Sequence, residues 1–152
     1  MKKILLLFIA TSITLPLLAQ QPLTENQQAV QQTVINLFDA LSSRDSVSLK
    51  NYCAADILLF ENGMTWNLDT LIKKGITLNQ ATDFKRVNTI DFINTNVDKT
   101  TAWITYNLNS EITRDGKQTS VQWMETVVLV KEKPNWKIKI LHATLIKRTA
   151  KN

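Results

Sequence analysis

The chain holds a single histidine, His142, and hairpin geometry sets it beside a glutamate and a tyrosine. Asp115-Gly116 is a hairpin turn signal between two alternating segments, so Arg114 pairs with Lys117 and, counting back, Tyr106 pairs with Glu125. If Glu132, Lys133, Pro134 and Asn135 form the loop of the next hairpin, Lys131 faces Trp136 and Glu125 faces His142. Side chains alternate along a strand, which gathers Tyr106, Glu125 and His142 into one transverse row on one face. Ile104, Val127 and Ile140 flank it on one side, and Leu108, Trp123 and Thr144 on the other. Such a row is a candidate ligand pocket with an apolar floor.

Burial would raise the pKa of Glu125 toward neutrality, where a carboxylate shuttles protons well, and an imidazolium beside it would pull the value back. Tyr106 could donate a hydrogen bond to a substrate oxygen and stabilise an enolate-like charge. The three groups suit proton abstraction beside a carbonyl, dehydration or cyclisation of a small apolar substrate. They can equally satisfy one another as a buried polar network. A β-bulge in either hairpin would turn Glu125 to the outer face, so the site is only as good as the register. Trp66, Trp103 and Trp136 read as packing or rim residues.

Other chemistries lack their residues. Metal ligation would need carboxylates spaced around His142, and no such cluster is visible. No nucleophile-elbow motif accompanies the histidine. Phosphate-cradling loops are excluded, since the glycines are only Gly63, Gly75 and Gly116. The single cysteine, Cys53, rules out an internal disulfide and reads as a small buried hydrophobe. No cofactor is expected. The basic residues, among them Lys73, Lys74, Lys85, Arg86, Lys137 and Lys139, are scattered, and no nucleic-acid motif is present.

The elements that must position the row follow from periodicity. Thr24 and Gln27 have capping-box spacing ahead of Val30, Val34, Leu37, Phe38 and Leu41, which form one helical stripe. Arg44-Asp45-Ser46 breaks that helix, and Ser46 is placed to cap a short second one carrying Leu49 and Tyr52. Ile57 to Glu61, Asn62-Gly63 and Met64 to Trp66 make a small hairpin, and Asp69 is placed to open a third helix through Ile76. Four long strands follow, about 84–94, 100–114, 117–131 and 136–148. Helices first and antiparallel strands later define an α+β fold with helices over one sheet face.

The opposite face carries Lys137 and Lys139, then Leu141, Ala143 and Leu145, beside Met124, Val128 and Val130. A sheet apolar on both faces needs a second cover, and a homodimer through this outer face is expected. The C-terminal tail or the first helix folding across it is the alternative.

The N-terminus reads as an export signal over residues 1–20: Lys2 and Lys3, an interrupted apolar stretch, then Ala19 as the cleavage-site residue. The stretch is too short and broken to span a membrane, so no membrane partner is expected after cleavage. Residues 21–152 then form one exported domain, periplasmic or secreted. The net charge of +5 becomes 5 minus 2, or +3, once Lys2 and Lys3 leave.

The order of elements resembles the nuclear transport factor 2-like superfamily, in its SnoaL-like branch and the related association domain of calcium/calmodulin-dependent kinase. Glu125-Thr126, Trp136-Lys137-Ile138 and His142-Ala143-Thr144 carry the likeness, with Leu37, Phe38, Asp56 and Gly63 at matching positions in the first half. Pro134-Asn135 stands where relatives usually carry Asp-Gly. The resemblance implies a cone-shaped fold, with helices closing a curved antiparallel sheet around a pocket, and a dimer through sheet faces. It implies little about activity, because the superfamily holds steroid isomerases, dehydratases, epoxide hydrolases and polyketide cyclases beside members that only bind or scaffold.

Three readings remain open. The chain is a binder of a small apolar molecule; or an enzyme with Glu125 as base, Tyr106 as donor and His142 as relay; or a non-catalytic dimeric interaction module. A cavity of about 300 Å³ or more reaching Glu125 would favour the first two.

Overall fold

A computed structural model describes residues 22–151; the expected leader lies outside them. Thr24 closes the anticipated capping box, its hydroxyl accepting from the Gln27 backbone N–H at 3.3 Å while the Gln27 side-chain oxygen accepts from the Thr24 N–H at 2.9 Å. The helix it starts, α1 (Glu25–Ser43), buries Val30, Val34, Leu37, Phe38 and Leu41 and stops where Arg44 turns left-handed at φ 57°. Helix α2 (Ser46–Tyr52) is capped by Asp45 rather than Ser46. The Asp45 carboxylate accepts from the Val47 and Ser48 N–H groups, both at 3.0 Å, and reaches donors that the shorter serine at position 46 would have to leave the helix to meet.

Strands β1 (Cys53–Glu61) and β2 (Met64–Trp66) meet at the Asn62-Gly63 turn, both of whose residues have positive φ. Asn67, not Asp69, caps α3 (Leu68–Ile72), which runs on as a π-helical segment, Lys73–Thr77. Gly75 sits in that segment where a Cβ would lie 3.0 Å from Leu41 Cδ2, so the close approach to α1 favours glycine. The remaining strands are β3 (Lys85–Val97), β4 (Thr101–Arg114), β5 (Lys117–Glu132) and β6 (Asn135–Lys151). They form one six-stranded sheet in the order β2-β1-β6-β5-β4-β3. The β1–β6 pair is parallel, so the sheet is mixed rather than wholly antiparallel. The α+β architecture is as expected, with the helices on the concave face.

The first long hairpin has the expected register, Arg114 opposite Lys117 and Tyr106 opposite Glu125. Its turn is held by the Asp83 carboxylate, which accepts from the Asp115 and Gly116 N–H groups, both at 2.8 Å. The second hairpin pairs Lys131 with Trp136 as expected but closes one pair further, Glu132 with Asn135, across the cis peptide Lys133-Pro134.

The registers diverge beyond that point. Leu129 faces Ile138 but Val128 faces Ile140, so Lys139 is an extra residue in β6. A second shift leaves Ile146 between the Trp123–Leu145 and Gln122–Lys147 pairs, and a third leaves Ile93 extra in β3. Such bulges bend a sheet, and here they wrap it around α1. The first bulge corrects the expected row: Glu125 stays inside and faces Ala143, while His142 pairs with Thr126 on the outer face together with Ile140 and Thr144. Two forces favour this arrangement. Leu141 and Ala143 are buried on the inner face while the imidazole stays exposed to water, and the Lys139 ammonium reaches the Asp56 carboxylate on β1. Leu141, Ala143 and Leu145 therefore belong to the inner face. The outer face is nevertheless apolar, through the transverse row Trp103, Val128, Ile140 and Leu58.

Candidate functional site

The inner face is laddered. Its narrow end is filled by Val97, Ala102, Leu129, Ile138 and Cys53, and the next row by Thr95, Ile104, Val127, Leu141 and Leu59. The third row is Phe92, Tyr106, Glu125, Ala143 and Glu61, two carboxylates separated by the strand that carries a methyl group. Because Ala143 is short, space opens there. A cavity of about 190 Å³ is lined by apolar side chains of α1 and α3, by Leu59, Leu141 and Ala143, and by Glu61, Trp66, Lys74, Arg86, Trp123 and Glu125.

Glu125 is 5% exposed, and its Oε2 accepts a 2.6 Å hydrogen bond from the Tyr106 hydroxyl. Burial pushes the carboxyl up to about 7; the Tyr106 hydrogen bond and the Arg86 charge oppose that rise, and Glu61 adds to it. The phenol is held well above its ordinary range by its own burial and by the carboxylate. Its ring is fully buried and packs edge-on against Phe38 and Phe92, with centroids 6.1 and 5.9 Å away. Tyr106 therefore stands behind Glu125 and orients it, and the cavity wall does not include it.

Arg86 comes from the start of β3. Its Nε donates to Asn88 Oδ1 at 2.8 Å and its Nη2 to Ser110 Oγ at 3.1 Å, and the guanidinium lies 5.5 Å from the Phe38 ring centroid and 5.8 Å from that of Trp123. Burial drives the Glu61 carboxyl up, partly offset by Arg86, Arg148 and Lys74. Trp66 presents a buried indole N–H with no hydrogen-bond partner, and the Lys74 ammonium sits 4.7 Å from its ring centroid.

The expected site residues separate into three groups. Glu125 and Trp123 line the cavity, with Tyr106 in contact behind. Ile104, Leu108 and Val127 are on the inner face as expected but are fully packed core. His142, Ile140 and Thr144 are on the other side of the sheet, where the imidazole meets the Phe60 ring edge-on at 6.2 Å. Arg86, Glu61, Trp66 and Lys74 were not expected as site residues. Arg86 had a legible signal, since it shares parity with Asn88, Ile90 and Phe92 along β3. Among the described residues no group of three or more His, Cys, Asp or Glu side chains is arranged to hold a metal ion.

A curved sheet closed by helices around an inner pocket is the nuclear transport factor 2-like architecture. The chain belongs to the SnoaL-like domain family, whose sequence model matches residues 30–146. Among solved structures it is similar to the CamKII hub homology domain of Chlamydomonas reinhardtii, at a TM-score of 0.72 and 21% identity over 81% of this chain and 100% of that one. An NTF2-like protein from Cytophaga hutchinsonii matches at a TM-score of 0.68 and 18% identity, covering 81% of this chain and 100% of that one. A ketosteroid isomerase-like protein from Erwinia carotovora atroseptica matches at 0.68 and 14%, covering 82% of this chain and 99% of that one. These likenesses establish the fold. A search of curated proteins finds no match.

Proposed function

We propose that the chain is an exported domain that takes a small, largely apolar molecule into the cone, with the Glu125 carboxyl as its polar anchor and no cofactor. The observation that carries this reading is a carboxyl group set by a 2.6 Å bond from a buried tyrosine, facing a cavity whose wall is mostly apolar and also carries Glu61, Lys74 and Arg86. At about 190 Å³ the cavity falls short of the volume of about 300 Å³ expected of a drug-sized pocket, and it is comparable with sites that accept one six-membered ring. The test uses 4-fluorobenzyl alcohol followed by fluorine NMR. Binding that is present in the wild type and lost in Ala143→Leu, whose added carbons enter the cavity, supports the reading. Equal binding by both proteins refutes this location.

A second reading, acid–base catalysis, is favoured by one observation: burial brings the Glu125 carboxyl to about 7, where it can take and return a proton near neutral pH. In this version Glu125 is the base, Tyr106 positions it, and His142 takes no part. Glu125→Gln retaining binding while losing turnover would support it. Neighbours in this fold include proteins described as ketosteroid isomerase-like and as a hexachlorocyclohexane dehydrochlorinase, which keeps the enzymatic reading in view.

The outer row of Trp103, Val128, Ile140 and Leu58 supports a homodimer, since Trp103 and Leu58 are 45% and 44% exposed in the single chain.

A further inference from the structure

The cavity shares Arg86 and Trp123 with a second concavity of about 450 Å³ at the wide end of the cone, whose lining also includes Arg114, Lys117 and Arg148. Four cationic groups thus line this vestibule against one carboxylate, Asp115, which lies 3.9 Å from Arg114. On the cavity wall Lys74 adds a fifth positive charge, set against the carboxyl groups of Glu61 and Glu125. The Arg86 guanidinium is the innermost in the vestibule, because it reaches over Trp123 into the space that Glu125 also faces. Its protein partners, Asn88 and Ser110, are neutral. The Glu125 and Glu61 carboxyl groups act on it through their charge, while its hydrogen bonds go to neutral side chains. A partly desolvated guanidinium held in place by neutral groups and two rings is a preformed receptor for a planar anion, since its unused N–H groups match a carboxylate edge. The buried Trp66 N–H, unpartnered in the same cavity, is a further donor.

We propose that the ligand of this cavity is a small amphipathic monocarboxylate, its carboxylate on Arg86 and its apolar body against Leu37, Leu41, Leu59 and Leu141. This rests on the cavity being a small-molecule site and specifies the chemistry of what fills it. Arg114, Lys117 and Arg148 then steer the anion inward, an effect that salt weakens. The bound charge also disfavours ionisation of Glu125 across the cavity, so at pH 7 binding is accompanied by proton uptake.

Calorimetry with phenylacetate and its neutral isostere phenylacetamide tests this. Phenylacetate should bind wild-type protein at least about tenfold tighter at low salt, which is about 1.4 kcal/mol. The advantage should shrink at 0.5 M salt, and heats measured in buffers of different ionisation enthalpy should show proton uptake for the acid alone. Arg86→Gln should reduce the preference for the acid to below about threefold. If that variant does not fold, the salt dependence and proton uptake of the wild type decide. Phenylacetamide binding as tightly as phenylacetate would overturn the carboxylate assignment and leave the cavity intact as a site. Binding of neither at millimolar concentration would overturn both.

Discussion

Replacing Glu125 by Gln should make the protein more stable at neutral pH, against the usual effect of altering a buried polar residue. The folded chain holds the carboxyl at about 7, whereas the ordinary value is 4.5. Between those two values the folded state binds more protons than the unfolded state, so stability falls as pH rises through the window and then levels off. At about 1.4 kcal/mol for each pH unit, the full loss above pH 7 amounts to about 3 kcal/mol. Glu125 is almost wholly buried, so solvent screening discounts little of this. Glutamine keeps the shape and an acceptor for the Tyr106 hydroxyl but has no charge to desolvate. Other titrating groups, including Glu61, remain in both proteins and largely cancel in the difference. Urea unfolding followed by tryptophan fluorescence from pH 4.5 to 8.5 should show the wild type losing about 3 kcal/mol relative to Glu125→Gln, most of it between pH 5 and 7. Parallel stability curves for the two proteins would refute the claim that burial dominates the Glu125 environment.

Tyr106→Phe removes the 2.6 Å hydrogen bond to Glu125, and should destabilise by about 1.5–3 kcal/mol above pH 7, where the acceptor is ionised, and by less below pH 6; urea unfolding at the two pH values measures it. The same substitution removes an influence that lowers the Glu125 value, so its titration should move above 7. Trp103→Glu places a charge in the outer apolar row and should convert the expected dimer to monomer in sedimentation velocity without changing the circular dichroism spectrum. Cys53 is buried and its thiol is pushed up to about 12, so native protein should resist thiol reagents at pH 8 and react only on unfolding.

Most of the fold was legible because its signals are local. The Thr24–Gln27 capping box, the Val30 to Leu41 stripe and the Asn62-Gly63 and Asp115-Gly116 turns each specify backbone geometry within a few residues. The Tyr106–Glu125 pair followed directly from one of these turns, since no bulge interrupts β4 against β5. His142 was misplaced by a feature with no local mark. Lys139 lies in an alternating segment, and only its reach to Asp56, 83 residues away in sequence, together with the fit of Leu141 and Ala143 under the helices, shows that the strand slips by one there. A single inserted residue exchanges the faces of everything beyond it. Arg86 was hidden for a different reason. Its parity with Ile90 and Phe92 points inward, but its charge reads as surface until the Phe38 and Trp123 rings, distant in sequence, are found with centroids 5.5 and 5.8 Å from the guanidinium. The expected export signal, residues 1–20, lies outside the described residues, and N-terminal sequencing of the mature protein would test cleavage after Ala19 or Gln20.

The most direct test of a ligand-accessible, desolvated carboxyl in the cone is the side-chain ¹³C resonance of Glu125, titrated by NMR with and without phenylacetate. The midpoint should lie near 7 in the free protein and rise when the ligand is bound. A midpoint near the ordinary 4.5 that the ligand leaves unmoved would contradict both the buried environment of Glu125 and its place in a binding site.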